Sequence, residues 1–198
     1  MLIIGLTGSI ATGKSTVAVM LRRMGFPVHD ADKTVHRLIS AHGAAVPDIL
    51  AVFGSSVGQL DTGIDRKRLG DMVFGDADKK ALLEGILHPL VHQDKQRFIR
   101  QARRQRQKAV FLDVPLLFET GGDASCDYVI SVWSPAFIQR QRALRRDGMT
   151  EQKLNAILVA QYPQPEKKRL SEFALPSSLG RAETHRRLKK WLKSLKLR

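Results

Sequence analysis

Gly8, Gly13, Lys14 and Ser15 stand at the spacing G-x-x-x-x-G-K-[ST]. A loop so spaced can wrap phosphate groups, because its glycines permit close backbone approach and let successive amides turn inward. The amides of Ser9, Ile10, Ala11, Thr12, Gly13, Lys14, Ser15 and Thr16 are the candidates for that cradle. The Lys14 ammonium can bridge the outer two phosphates of a nucleoside triphosphate, and the Ser15 hydroxyl can ligate Mg²⁺. Carboxylates follow where phosphoryl chemistry can use them. Asp30 and Asp32 flank Ala31, directly after a short apolar stretch. A carboxylate there can take a proton from an attacking hydroxyl or hold Mg²⁺ through water. Aspartate at a helix start also accepts backbone N–H bonds, so one of the two is expected to be a cap. Asp113 ends the apolar run 109–112, a pattern whose carboxylate contacts Mg²⁺ or its water. Arg142 and Arg146 lie four apart, which predicts one shared helical face, and arginine offers planar donors that clamp transferring phosphates.

The elements needed to position these groups can be read around them. Residues 2–6 form an apolar strand before the loop, and residues 15–24 a helical pattern after it, stopped by Gly25. Strand, glycine loop and helix is the context the motif requires. Residues 26–29 read as a second strand. Ligands of open α/β sheets bind at the carboxyl ends of strands, so Asp30 and Asp32 are expected on the loop's rim. A helix is expected over 33–41. Residues 44–107 read as mostly helical, with no strand signal: a helix over 44–53, a Gly/Ser-rich loop over 54–63, a helix capped by Asp65, and one opened by Asp76. His88-Pro89 is expected to break that last helix, since proline disfavours a helical residue before it, and a basic helix then runs over 90–107. Residues 33–107 are therefore expected to form a helical insertion. A strand with an acidic end is expected over 109–119, and another over 128–133. The arginine helix from Pro135, the stop at Asp147-Gly148 and a helix opened by Thr150-Glu151 make a hairpin expected to act as a lid over 135–165. Pro163 to Arg169 reads as a hinge-like return. Residues 173–175 read as a fifth strand, and 182–195 as a terminal helix burying Leu188, Trp191, Leu192 and Leu195.

Composition narrows the class. A chain of 198 residues suffices for one compact domain with small insertions, here taken as 1–198. Cys126 is the only cysteine, which rules out an internal disulfide and suits a reducing compartment. No stretch of apolar residues is long enough to span a bilayer, and residues 2–6 enter the glycine loop directly, as a core strand does and a signal peptide does not. A cytoplasmic protein without membrane or nucleic-acid partners, a monomer or weak homo-oligomer, is the expectation. The net charge of +14 admits a rival, a basic nucleotide-regulated nucleic-acid binder. Against it, Phe98 is the one aromatic in the 95–108 basic cluster, so no stacking platform is present, and no zinc or helix-turn-helix pattern appears. Phosphate-rich small substrates account for part of the excess charge.

Taken together, these segments resemble the dephospho-coenzyme A kinase family. The marks are Gly5-Leu-Thr-Gly-Ser-Ile with Gly13-Lys14-Ser15-Thr16, then Asp30-Ala31-Asp32, then Leu60 to Leu69 with Arg66. After these come Leu87-His88-Pro89-Leu90, Asp113-Val-Pro-Leu-Leu-Phe-Glu119, Gln139, Arg142, Arg146 and Gln161. The resemblance implies an α/β fold: a P-loop kinase three-layer core with a central parallel sheet, a helical acceptor-binding insertion and a helical lid. It implies ATP and Mg²⁺ as cofactors and dephospho-coenzyme A as the acceptor, phosphorylated on its ribose 3′-hydroxyl. By position it makes Asp32 the general base, and gives Lys14 and the loop amides to the ATP phosphates. Ser15 falls to the metal directly, and Asp113 through water. Arg66, His88, Pro115, Leu116 and Glu119 fall at the acceptor, and Arg142 and Arg146 over the phosphates. The chain departs from the family's pattern at Pro176-Ser177, where a polar pair is usual, and at Ile157, where an arginine is common. Other small-molecule P-loop kinases, of the nucleoside monophosphate or shikimate type, share the loop and differ in the acceptor.

Overall fold

The computed structural model describes residues 1–197. The chain divides into two compact units: Met1–His29 with the chain from Ala102 onward, and Asp30–Gln101.

The first unit is built on a five-stranded sheet in the order β2-β5-β1-β6-β7. Its strands are β1 (Leu2–Thr7), β2 (Val28–Asp30), β5 (Ala109–Asp113), β6 (Tyr128–Trp133) and β7 (Phe173–Pro176). The pairs β1–β5, β1–β6 and β6–β7 are parallel, with Ile4 beside Phe111 and Tyr128. Every residue of β5 is buried, as the unbroken apolar run of a strand covered on both faces demands. Alternate residues Ile4, Leu6, Ala109, Phe111, Ile130, Val132 and Leu175 turn to one face. There they meet Val17, Ala18 and Leu21 of α1 (Lys14–Arg23) and Leu188 and Leu192 of α9 (Arg181–Ser194). Leu21 and Leu188 are fully buried, each worth about 1.5–3 kcal/mol over exposure. A smaller apolar cluster joins Val129 to Val114, Leu117 and Phe118, which follow β5. This is the α/β architecture expected, with its parallel sheet at the centre. Trp191 and Leu195, expected to be buried, are half-buried at the margin, where Trp191 stacks on Phe173 at 5.1 Å between ring centres.

Three helices follow β6: α6 (Ala136–Leu144), α7 (Glu151–Val159) and α8 (Gln164–Leu170). Thr150 caps α7 by accepting from the Lys153 amide. Helix α8 occupies the stretch expected to be a hinge-like return. Lys167 there is wholly buried and Lys168 lies 4.0 Å above the Trp133 ring. A lysine run signals exposure in sequence, but here one lysine finds buried partners and the next an aromatic face.

The second unit contains α2 (Ala31–Leu38), α3 (Val46–Phe53), α4 (Arg66–Val73) and most of α5 (Ala77–Arg104). Its core is Ile39, Val46, Ile49, Phe53, Val57, Ile64 and Leu69. Two expectations fail here. Between α3 and α4 the chain forms an antiparallel pair, β3 (Gly58–Gln59) and β4 (Gly63–Ile64). These strands are too short to show an alternating pattern. Helix α5 also runs unbroken through Pro89. Proline removes one helical hydrogen bond and crowds the carbonyl four residues back, yet the helix is held on both sides of it. Leu83, Ile86, Leu87 and Leu90 pack on the core, and Asp94 accepts from Thr34 and Arg37 of α2.

Candidate active site

The phosphate loop lies between β1 and α1 with its glycines placed by sterics. At Gly8 a Cβ would sit 2.6 Å from the Val132 carbonyl oxygen, and Gly13 takes φ 95°, a left-handed conformation that side chains disfavour. Gly13 gives α1 no side-chain cap, so the first-turn amides of that helix point at the loop's concavity together with its positive dipole end. Within the loop, the Thr12 hydroxyl donates to the Ser9 carbonyl at 2.8 Å.

The structure brings Lys14 and Asp113 together: Lys14 Nζ lies 2.5 Å from Asp113 Oδ1, and Asp113 is nearly buried. This joins the loop's charge to the end of β5. Asp113, expected to meet a metal through water, is paired in the structure with Lys14. Ser15, exposed at the start of α1, and the Asp113 carboxylate are hard oxygen donors of the kind Mg²⁺ takes in ones and twos, with phosphates and water completing its shell. Among the described residues no group of three or more His, Cys, Asp or Glu could hold a metal ion.

Arg142 and Arg146 do not share a helical face. Helix α6 ends at Leu144, leaving Arg146 exposed in the connection to α7. The Asp147-Gly148 stop acts two residues earlier than the spacing of the arginines assumes. Arg142 is turned to the segment after β7, donating to the Ser177 hydroxyl at 3.0 Å and its carbonyl at 3.2 Å. That hydroxyl in turn donates to the Thr12 carbonyl of the phosphate loop. Ser177, a departure from the family pattern in sequence, is therefore part of the loop's surroundings. Its signal in the sequence, one serine after a proline, is too common to find.

The turn after β5 is fixed by a buried pair. Lys167 Nζ lies 2.8 Å from Glu119 Oε1 and donates to the Pro115 carbonyl at 2.8 Å. Thr7 also donates to that carbonyl, and Glu119 accepts from the Tyr162 amide at 2.7 Å. Of the acceptor candidates in this turn, Leu116 is exposed while Pro115 and Glu119 are half-buried. Glu119 is thus engaged by α8 and the segment before it, a partner that sequence reasoning had not supplied.

In the second unit the two aspartates divide their roles. Asp30 accepts from the Lys33 amide at 3.0 Å and caps α2. Asp32 lies in the first turn of α2, because the helix begins two residues before the expected start. Its carboxylate is exposed, with no hydrogen-bond or ion-pair partner among the described residues. One helical turn on, the ring of His36, which sequence reasoning missed, meets Arg66 Nη1 at 3.4 Å. Arg66 opens α4, whose cap Asp65 is held below the ordinary carboxylate range chiefly by the Arg68 amide, then by the Lys67 amide and the two side-chain charges. His88 is exposed on α5, and no hydrogen bond joins it to Arg66 or Asp32 among the described residues.

A family model described as dephospho-CoA kinase matches residues 2–182. A dephospho-CoA kinase of Rhodospirillum rubrum is 54% identical over 179 residues, covering 90% of this chain and 84% of its own. Among solved structures, a Thermus thermophilus protein superposes with a TM-score of 0.84 at 31% identity, over 98% of this chain and 96% of its own. A dephospho-CoA kinase from Campylobacter jejuni gives a TM-score of 0.74 at 25% identity, with the same coverage of each chain.

Proposed function

The chain belongs to the dephospho-CoA kinase family and is a phosphotransferase; from that premise we propose that it moves the γ-phosphate of ATP to the ribose 3′-hydroxyl of dephospho-CoA. Supporting the donor side is the phosphate loop itself, with Lys14 held against Asp113 and a helix N-terminus behind it. Phosphoryl transfer asks little covalent chemistry of the protein, so positioning and charge neutralisation dominate. The loop amides hold the phosphates, and Lys14 shifts from Asp113 onto the outer two. Arg142, already tied to the loop through Ser177, reaches the transferring group, and Arg146 approaches from the α6–α7 connection. Asp32 takes the proton of the attacking hydroxyl, a role that its exposed carboxylate supports. Arg66, with His36 beside it, and His88 supply positive or hydrogen-bonding groups for an anionic acceptor, and the residues 115–119 turn offers Leu116 to its apolar parts. Mg²⁺ would neutralise phosphate charge, with Ser15 and, through water, Asp113 as its protein oxygens. Residues 33–107 serve as the acceptor-binding part and 135–165 as the lid.

An acceptor panel with labelled ATP tests the reading. Label should pass to dephospho-CoA and leave shikimate and nucleoside monophosphates bare. Equal transfer to either of those would overturn the assignment of the acceptor.

A further inference from the structure

Two glutamines grip the phosphate loop from outside. The Ser9 hydroxyl donates to Gln161 Oε1 at 2.6 Å, and the Ile10 amide donates to the same oxygen at 3.1 Å. Gln139 Nε2 donates to the Ile10 carbonyl at 2.9 Å and to the Ser9 hydroxyl at 3.1 Å. A third glutamine stands behind: Gln164 Nε2 donates to Gln139 Oε1 at 2.6 Å, and Gln164 accepts from the Ser134 amide at 3.1 Å. The chain of amides thus runs from the loop to the end of β6. Ser9 and Gln139 are each 5% exposed and the bond between them is buried, while the bonds to Gln161 are partly buried; an unmade bond at such a place is costly. Next in the loop, Ala11 holds φ 58°, a left-handed conformation that a non-glycine residue keeps only when its surroundings impose it. Apolar packing from the same helices completes the seat: Ala11 and Ile10 lie against Ala143, Leu154 and Leu158.

We propose that Gln161, braced by Gln139 and Gln164, is a positioning residue that holds the Ser9–Ile10–Ala11 limb of the phosphate loop in its ATP-binding shape. With the Ile10 amide given to Gln161, and the Thr12 and Thr16 amides to the Ser9 and Gly13 carbonyls, the amides of Ala11, Gly13, Lys14 and Ser15 and the Lys14 ammonium carry the phosphates. Glutamine suits the task because it supplies an acceptor without charge; a carboxylate would put a negative charge beside the incoming phosphates.

This rests on the loop being the ATP site and not on which acceptor is used. It is tested by titrating Mg·ATP calorimetrically, with no acceptor present, and by hydrogen exchange of the Ile10 amide. Gln161→Ala should weaken Mg·ATP about tenfold or more, the loss of two hydrogen bonds at a preorganised loop, and speed Ile10 exchange. Gln161→Glu, which keeps the acceptor oxygen, should restore protection of Ile10 while still weakening ATP more than ADP. Gln164→Ala touches no loop atom and should shift both readouts the same way by a smaller factor, about two- to fivefold. ATP affinity within about twofold of the parent, with unchanged Ile10 exchange, in Gln161→Ala would overturn the proposal. Should that variant not fold, parental values in Gln164→Ala would overturn it equally. Absence of ATP binding by the unaltered chain would overturn the reading of the loop itself, a result that the variants alone cannot mimic.

Discussion

Asp30 and Asp32 are the same side chain two positions apart with different work, and only the backbone between them decides which does what. Asp30 is spent on the Lys33 amide; Asp32 is carried one step further, exposed in the first turn of α2. Asp32→Asn should keep ATP binding and lower turnover by about 10²–10⁴, the usual worth of a general base. Steady-state rates at saturating ATP measure it, and near-parental turnover would remove Asp32 from the mechanism. Lys167 poses the reverse case, a charge engaged wholly by partners within the chain. Buried against Glu119 and the Pro115 carbonyl, it fixes the turn that follows Asp113. Lys167→Ala leaves Glu119 without its cation and should cost about 3–5 kcal/mol in urea unfolding, while Lys167→Met combined with Glu119→Gln should recover most of it. A double variant as unstable as the single one would contradict this. At this scale Lys14, Asp32 and Asp113 stood out in the sequence as candidates, Lys14 by the loop's spacing and the two aspartates by following short apolar runs. Lys167, Ser177 and His36 were not, because their partners lie far along the chain and no local pattern points to them.

Elements were legible where a pattern is long enough to repeat. The strand expected over 128–133 matches β6 to the residue, since a buried parallel strand reads as an apolar run bounded by polar residues; the one expected over 109–119 ends at Asp113 as β5, and the apolar residues beyond it pack as a turn against Val129. Pro89 misled because proline is a local rule, whereas the packing of Leu83, Ile86, Leu87 and Leu90 and the grip on Asp94 hold α5 from outside. Helix α9 carries its own pH dependence. Glu183, in its first turn, is held down to about 2 by hydrogen bonds from Arg186 and then Arg187. A folded value below the unfolded one stabilises above the ordinary glutamate range and is lost as pH falls from there toward about 2. Glu183→Gln should therefore flatten the fall in melting temperature between about pH 5 and pH 3, modestly because the pair is exposed. An unchanged acid slope would show that this cluster contributes nothing to stability.

At the scale of the molecule, one unit carries the phosphate loop, Lys14, Asp113, Arg142 and the glutamine clamp, and the other carries Asp32, His36, Arg66 and His88. The groups proposed for the ATP phosphates fall in the first unit, whereas those proposed for the acceptor fall in both, since Pro115, Leu116 and Glu119 belong to the first. Among the described residues no helix is long and apolar enough to cross a membrane, and the +14 charge accords with phosphate-rich substrates. The donor half could be read from one motif because phosphate binding is done by backbone, which sequence spacing constrains tightly. The acceptor half could be read only through its likeness to a family, because side chains such as Arg66 and His88 have no spacing rule that specifies a ligand. The most direct measurement is the mass and phosphorylation site of the product after incubation with ATP, Mg²⁺ and dephospho-CoA. Gain of one phosphoryl group on the ribose 3′-oxygen is the predicted result; unchanged dephospho-CoA, or a phosphoryl group elsewhere on it, would contradict it.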